Sequence, residues 1–362
     1  LSGGPVKFGN SKFPGQILGS LRLVKEGDTL DRVTMEDIAE RAGVSINTVS
    51  RALNDKPDIN DQTKEEILGI ADELNYQPNR FAQGLRSSKT STLGVIVADI
   101  MNPFFSALLK GVEKSAREEG YSIIVQDTDE KYENEQSAIQ TTLAEQVDGL
   151  LITPVQTNQQ TIIDLKQSDL PFVLLGRHFT DLDTHYVVTD DVEGASSAVK
   201  HLIDRGHDRI GIINGPTHIS SSQERLRGYK QTMRDRGIGV REEFIFRDTV
   251  TMEEGYRTGK KMVSSTPGPT AVLCYSDFVA IGVIKAARDA GLKIPEDLAV
   301  VGYDDIFFST CLEVPLTSVR IPKKKLGKRA FQVLQELIDG GAEGQELKQF
   351  KLGTELIERQ TT

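Results

Sequence analysis

The chain has 362 residues, 38% of them hydrophobic, with 32 Gly and 13 Pro scattered without a short period. At about 100–200 residues per domain this length calls for two or three domains, and the composition excludes collagen-like and wholly disordered chains. The formal charge is −10, which argues against indiscriminate coating of nucleic acid but leaves room for a local groove. No apolar run approaches the roughly 18 residues of a spanning helix, and the first residues lack the apolar core and cleavage site of an export signal, so a cytoplasmic protein without membrane contact is expected. Two cysteines, Cys274 and Cys311, and five histidines without CxxC or HExxH spacing give no disulfide framework, no metal site and no cofactor to expect.

Residues 1–32 carry Gly, Ser, Lys and Pro without steady periodicity and are expected to form an extension lacking fixed structure. From Val33 the signals sharpen. Thr34-Met35-Glu36-Asp37 is a capping-box start, Ile38, Ala39 and Ala42 share one helical face, and Gly43 stops the helix. Ser45 is a good N-cap for a second helix carrying Val49, Ala52 and Leu53 inward. Two short helices about a Gly turn spell helix-turn-helix, and a third, with Asp61 as expected N-cap and Ile67, Ile70, Ala71 and Leu74 as its stripe, completes a unit over 33–77. Residues 78–90 follow as a linker able to form a short helix; from Asn79 on it holds three bases and no acids.

Beyond residue 91, apolar β-branched runs alternate with amphipathic stretches. Leu93–Ala98, Ser122–Val125, Gly149–Thr153, Phe172–Leu175, Arg209–Asn214, Ala271–Tyr275 and Leu298–Tyr303 read as buried parallel strands. Helical patterns near 104–119, 132–146, 191–205, 221–236, 277–290 and 323–339 separate them, which gives a doubly wound α/β architecture with binding crevices at strand carboxyl ends. So long a core is large for one sheet, and two similar lobes facing a cleft are expected.

These residues resemble the LacI/GalR family of bacterial transcription regulators. The resemblance is carried by Val33 to Asn54 (VTMEDIAERAGVSINTVSRALN), by Leu74 to Asn79 and the Leu85 linker, and by Asn102-Pro-Phe-Phe105, Glu224 to Tyr229 and Val301-Gly-Tyr-Asp-Asp305. It implies a lambda-repressor-like helix-turn-helix domain, a hinge over 78–90, and a two-lobed periplasmic-binding-protein-like core over 91–362. Lobe 1 would take about 91–190 and 320–350, and lobe 2 about 191–319 and 351–362. The implied function is ligand-controlled repression: a homodimer on double-stranded, pseudopalindromic operator DNA, with a carbohydrate effector between the lobes. Members answering to a protein corepressor keep that partner open.

On the second helix Asn47, Ser50 and Arg51 fall at i, i+3 and i+4, opposite Val49 and Leu53, as one exposed polar face. Standing alone, such a face is ordinary solvated surface; the helix-turn-helix around it is what points to a major groove, where Arg grips guanine and Asn adenine. By resemblance, Ile46, Asn47 and Arg51 match base-reading positions, Thr48 and Ser50 lie nearer phosphates, and Leu85 is a minor-groove wedge in a linker whose Arg80 and Arg86 also meet DNA. From Val33 to Thr90 there are seven Lys/Arg against ten Asp/Glu, so few phosphate contacts and a shallow salt dependence are expected.

In the core, Phe104 and Phe105 follow directly on a strand end, where packing and a sugar's C–H face are both natural uses of a ring. Arg225 and Asp304 match the family's ligand contacts; Ser276, Asp277, Asp190 and Arg177 are further candidates, although surface ion pairing would explain those charges equally. Val250 stands where purine-binding members carry a stacking aromatic, which favours a sugar or sugar acid over a nucleobase. A transport solute-binding protein would share the core but not the helix-turn-helix. An enzyme is not expected, because the chain has no GxGxxG after a strand, no GxxxxGK[ST] and no GxSxG.

Overall fold

The computed structural model describes residues 33–76, 89–340 and 346–362, in two compact units divided between Arg80 and Phe81. In the smaller unit, Thr34 opens α1 (Met35–Ala42) with a closed capping box: its hydroxyl accepts from the Asp37 amide at 3.4 Å while the Asp37 carboxylate accepts from the Thr34 amide at 2.6 Å. Gly43 ends that helix at φ 66°, a left-handed value open to glycine at no steric cost. Ser45 caps α2 (Ile46–Leu53), accepting from the Thr48 amide at 3.2 Å. α3 (Asp61–Glu73) departs from expectation: its cap is Asn60, which accepts from the Gln62 amide at 2.8 Å, and Asp61 is the first helical residue, where its charge faces the positive end of the helix. Ile38, Ala39, Val49, Ala52, Ile67 and Ala71 close the small core.

The larger unit holds two six-stranded sheets. In the first, β1 (Thr92–Val97), β2 (Ser122–Asp127), β3 (Gly149–Ile152), β4 (Phe172–Leu175), β5 (Tyr186–Thr189) and β11 (Gln349–Leu352) run parallel in the order β11-β5-β4-β3-β1-β2. In the second, β6 (Ile210–Ile213), β7 (Ile245–Phe246), β8 (Ala271–Cys274), β9 (Ala299–Asp304), β10 (Thr317–Arg320) and β12 (Glu355–Ile357) take the order β12-β10-β9-β8-β6-β7, with β12 antiparallel. Apart from the last strand of each, the two orders are the same winding repeated. The chain changes sheet three times: after β5, after β10 and after β11.

Helices α4 (Pro103–Glu118), α5 (Tyr132–Ala144), α6 (Gln160–Lys166) and α11 (Lys323–Gly340) accompany the first sheet; α7 (Asp191–Asp204), α8 (Ser220–Asp235), α9 (Met252–Val263) and α10 (Asp277–Asp289) accompany the second. Helix α9 was not foreseen because Gly255 and Gly259 weaken its helical signal. Those glycines are what let α10 approach: a Cβ on Gly255 would sit 2.5 Å from the Val279 carbonyl oxygen, and one on Gly282 of α10 2.1 Å from that of Met252. Strands β5, β7, β10, β11 and β12 also lay outside the expected set. Helix α6 was likewise missed, being only two turns long. Edge strands β11 and β12 are half-exposed, and β10 buries Thr317 and Ser318 by hydrogen bonding instead of by apolar character.

Candidate functional site

On α2, Asn47 and Arg51 are exposed and Ile46 is 39% exposed, a continuous outward face. The Arg51 Nε donates to Asp58 Oδ1 at 3.2 Å in an exposed ion pair, which water and a phosphate or base edge can replace at little cost. Thr48 is half-buried, its hydroxyl 2.9 Å from Ser45 Oγ. Ser50 is a correction: it is buried at 8% exposure, because α2 packs on both α1 and α3 and so hides a wider arc than Val49 and Leu53 alone suggest. The expected DNA contacts Arg80, Leu85 and Arg86 lie outside the described residues.

A cavity of about 330 Å³ opens where the carboxyl ends of both sheets face each other. Phe104 and Phe105 line it from the start of α4, their rings edge to face at 5.0 Å. Arg177, just past β4, is buried and grips Glu130 with both Nη atoms, at 2.8 and 2.6 Å, while Nη1 also donates to the Pro154 carbonyl at 3.0 Å. Burial opposes its charge, but Glu130 outweighs that and raises its pKa. From the other sheet, Arg225 on α8 donates from Nε to Asp191 Oδ1 at 2.8 Å and from Nη1 to the Tyr275 carbonyl. Its guanidinium carbon stands 3.7 Å from the Tyr303 ring centre and 4.8 Å from that of Tyr275. Here too burial opposes the charge and Asp191 more than restores it.

Asp304 ends β9 at φ 99°, 5% exposed, on the cavity wall. Among the described residues no hydrogen bond reaches its carboxylate, and burial pushes its pKa up to about 7 even though Arg225 pulls the other way. A buried acceptor left open beside a fixed cation is a site prepared for donors from outside. Ser276 caps α10, accepting from the Val279 amide at 3.3 Å, and lines the cavity, as does Val250.

Two expected contacts are corrected. Asp190 does not line the cavity: it caps α7, accepting from the Glu193 amide at 3.1 Å, and the next residue, Asp191, is the one on the wall. Asp277 is fully buried and turned away from the cavity, holding Ser309, Ser318 and the Ile306 amide.

The family description "Bacterial regulatory proteins, lacI family" matches residues 34–79, and "Periplasmic binding protein-like domain" matches residues 199–362. The ribose operon repressor of Haemophilus influenzae is 36% identical over 305 residues, 84% of this chain and 92% of that protein. The chain belongs to the lacI family of bacterial regulatory proteins. A further lacI-type relative, the HTH-type transcriptional repressor CytR of Escherichia coli K12, is 33% identical over 307 residues, 85% of this chain and 90% of that protein. Among solved structures, the lac repressor dimer bound to operator and the anti-inducer ONPF is 28% identical with a TM-score of 0.83, covering 91% of this chain and 99% of that one. A lacI-family regulator from Enterococcus faecium with bound ribose is 26% identical with a TM-score of 0.66, covering 75% and 98%.

For this lacI-family chain, sequence reasoning missed Asp99, Glu130, Asp191, Ser221, Glu253 and Tyr275 on the cavity wall. Tyr275 was within reach, since it is the first residue past β8. Glu130 carried no such signal; it comes to the wall from a turn at φ 55° after β2.

Proposed function

We propose that this chain is an operator-binding transcriptional repressor, acting as a homodimer, whose effector is a neutral, hydroxyl-rich small molecule of monosaccharide size. The observation that carries this reading is the open carboxylate of Asp304 beside Arg225, in a cavity walled by Phe104 and Phe105. Sugar hydroxyls donate to Asp304 and accept from the Arg225 guanidinium, while the rings meet the C–H face. A volume of about 330 Å³ is at the small end of ligand pockets, which run from about 300 to 1,000 Å³.

Charge narrows the class. Arg177 is matched by Glu130 and Arg225 by Asp191, so among the described residues Asp99, Glu253 and Asp304 remain as carboxyls on the wall without an ion pair. A sugar phosphate or sugar acid would add a further negative charge there, so the neutral sugar is favoured over the sugar acid that sequence alone left open. Val250 offers no ring for a base to stack on.

The relative named as the ribose operon repressor supports control of carbohydrate genes. In this reading Asn47, Arg51 and Ile46 read base edges, and effector changes the balance between DNA-competent and incompetent states, so DNA reciprocally changes effector affinity. The test is a thermal-shift panel of neutral monosaccharides, nucleosides, nucleobases and sugar phosphates, followed by selection of operator sites from random duplexes with and without each hit. Stabilisation of about 2.7 kcal/mol is expected at 100 times Kd. Stabilisation by sugar phosphates alone, or no enriched duplex in any condition, would overturn the reading.

A further inference from the structure

Asp304 reaches the cavity through a backbone that its neighbours must hold. Asp304 and Asp305 are consecutive non-glycine residues at φ 99° and 51°, a region L-residues adopt only where surrounding bonds over-determine them. The bonds are present, and they converge on Asp277. Its Oδ2 accepts from the Ile306 amide at 2.8 Å and from Ser309 Oγ at 2.6 Å; its Oδ1 accepts from Ser318 Oγ at 2.6 Å. Ser318 Oγ in turn accepts from the Asp305 amide at 3.0 Å. The two amides after Asp304 are therefore both anchored on one carboxylate, directly or through one hydroxyl.

From the opposite side Lys323 Nζ donates to the carbonyls of Asp304 and of Asp305, the latter at 3.0 Å, and Arg320 and Arg359 hold the Asp305 carboxylate at 2.7 and 2.5 Å. Strand β9 can lie against Asp277 only because Gly302 is bare: a Cβ there would stand 2.1 Å from Asp277 Oδ1. Asp277 itself is 0% exposed and does not line the cavity. Among the described residues no hydrogen bond reaches the Asp304 carboxylate, so this backbone hold, together with the charges of Arg225 and Lys323, sets where that carboxylate points.

We propose that Asp277 is a positioning residue for effector recognition, acting through Ser318 and the Ile306–Ser309 turn to keep Asp304 in its left-handed conformation facing the cavity. This rests on the reading that Asp304 meets effector hydroxyls. If the hold is loosened, φ of Asp304 relaxes toward the extended region and its carboxylate leaves the wall.

The experiment is a double-mutant cycle on the full chain with D-ribose as probe, read by titration calorimetry, together with amide hydrogen exchange of the unliganded protein. Ser318→Ala should weaken D-ribose binding about tenfold, the size of a hydrogen bond lost from a buried charged acceptor, and have little further effect in an Asp304→Asn background. Equal losses in the two backgrounds would mean that Ser318 and Asp277 merely support the fold, and would overturn the proposal. In the unliganded protein Ser318→Ala should speed exchange of the Asp305 and Ile306 amides about tenfold while amides of β8 stay protected; unchanged exchange there would also overturn it. Ser309→Ala, which loosens the same carboxylate from its other oxygen, should repeat the pattern if Ser318→Ala does not fold. Absence of D-ribose binding by the unmutated chain would count against ribose as effector, and the exchange measurement would still decide the hold on Asp304.

Discussion

Replacing Arg225 by Met keeps the volume and removes the charge, which isolates the cost of stranding Asp191. In the unmutated chain the Asp191 side chain is 2% exposed and receives Arg225 Nε at 2.8 Å. After Arg225→Met the Thr189 hydroxyl at 3.2 Å and the neighbouring Tyr303 hydroxyl are the side-chain donors left to it among the described residues, and neither carries a charge. Breaking a buried ion pair from one side costs about 3–5 kcal/mol, because the partner's charge stays desolvated. The stacking of the guanidinium on Tyr303 and Tyr275 is lost as well. For a unit of this size a loss near 4 kcal/mol lowers Tm by about 10 °C. Urea unfolding followed by far-ultraviolet circular dichroism should show a lower midpoint at an unchanged slope. The double variant Arg225→Met with Asp191→Asn, which strands no charge, should recover more than half of the loss. A single variant within about 1 kcal/mol of the unmutated chain, or a double variant no better than the single, would refute the reasoning.

Three further predictions follow from the same chemistry. Burial holds Asp304 up to about 7, above its ordinary 3.8, so the folded chain keeps this proton longer than the unfolded one; the associated stability is full below about pH 4 and is lost as pH rises through 7. On the proposal that effector hydroxyls donate to the ionised form, D-ribose affinity should rise from pH 6 to pH 8 with proton release, measured by calorimetry in two buffers of different ionisation enthalpy; a flat profile would count against Asp304 as the acceptor. Arg51→Ala should cut affinity for a selected operator by about 1–3 kcal/mol while leaving Tm nearly unchanged, since its pair with Asp58 is exposed; an equal loss on unrelated duplexes would reassign Arg51 to phosphate binding. Gly302→Ala should destabilise the chain by about 1–3 kcal/mol or more, because the new methyl meets Asp277 Oδ1 at 2.1 Å and Leu316 Cδ2 at 2.8 Å; a calorimetric Tm equal to that of the unmutated chain would contradict that packing.

What the amino-acid order determined by itself was everything encoded locally. Thr34 with Asp37, Gly43 and Ser45 are cap and stop residues acting within one turn, so α1 and α2 could be read directly. The apolar runs of β1, β3, β4, β6 and β8 are buried on both faces and need no partner to be recognised. Tertiary structure decided what depends on a partner distant in the chain. Ser50 is buried because two other helices close over it, and α9 forms despite its glycines because α10 packs into the space they leave. Asp190 and Asp191 differ by one position, yet one caps a helix and the other meets Arg225, 34 residues away. Asp277 and Asp304 look alike as residues, and only the folding of β9 against β10 and α10 turns one inward as a support and leaves the other open to the cavity. Hydrogen-bond partners and desolvation are properties of the assembled neighbourhood, so a carboxylate's role is written there and not in its letter.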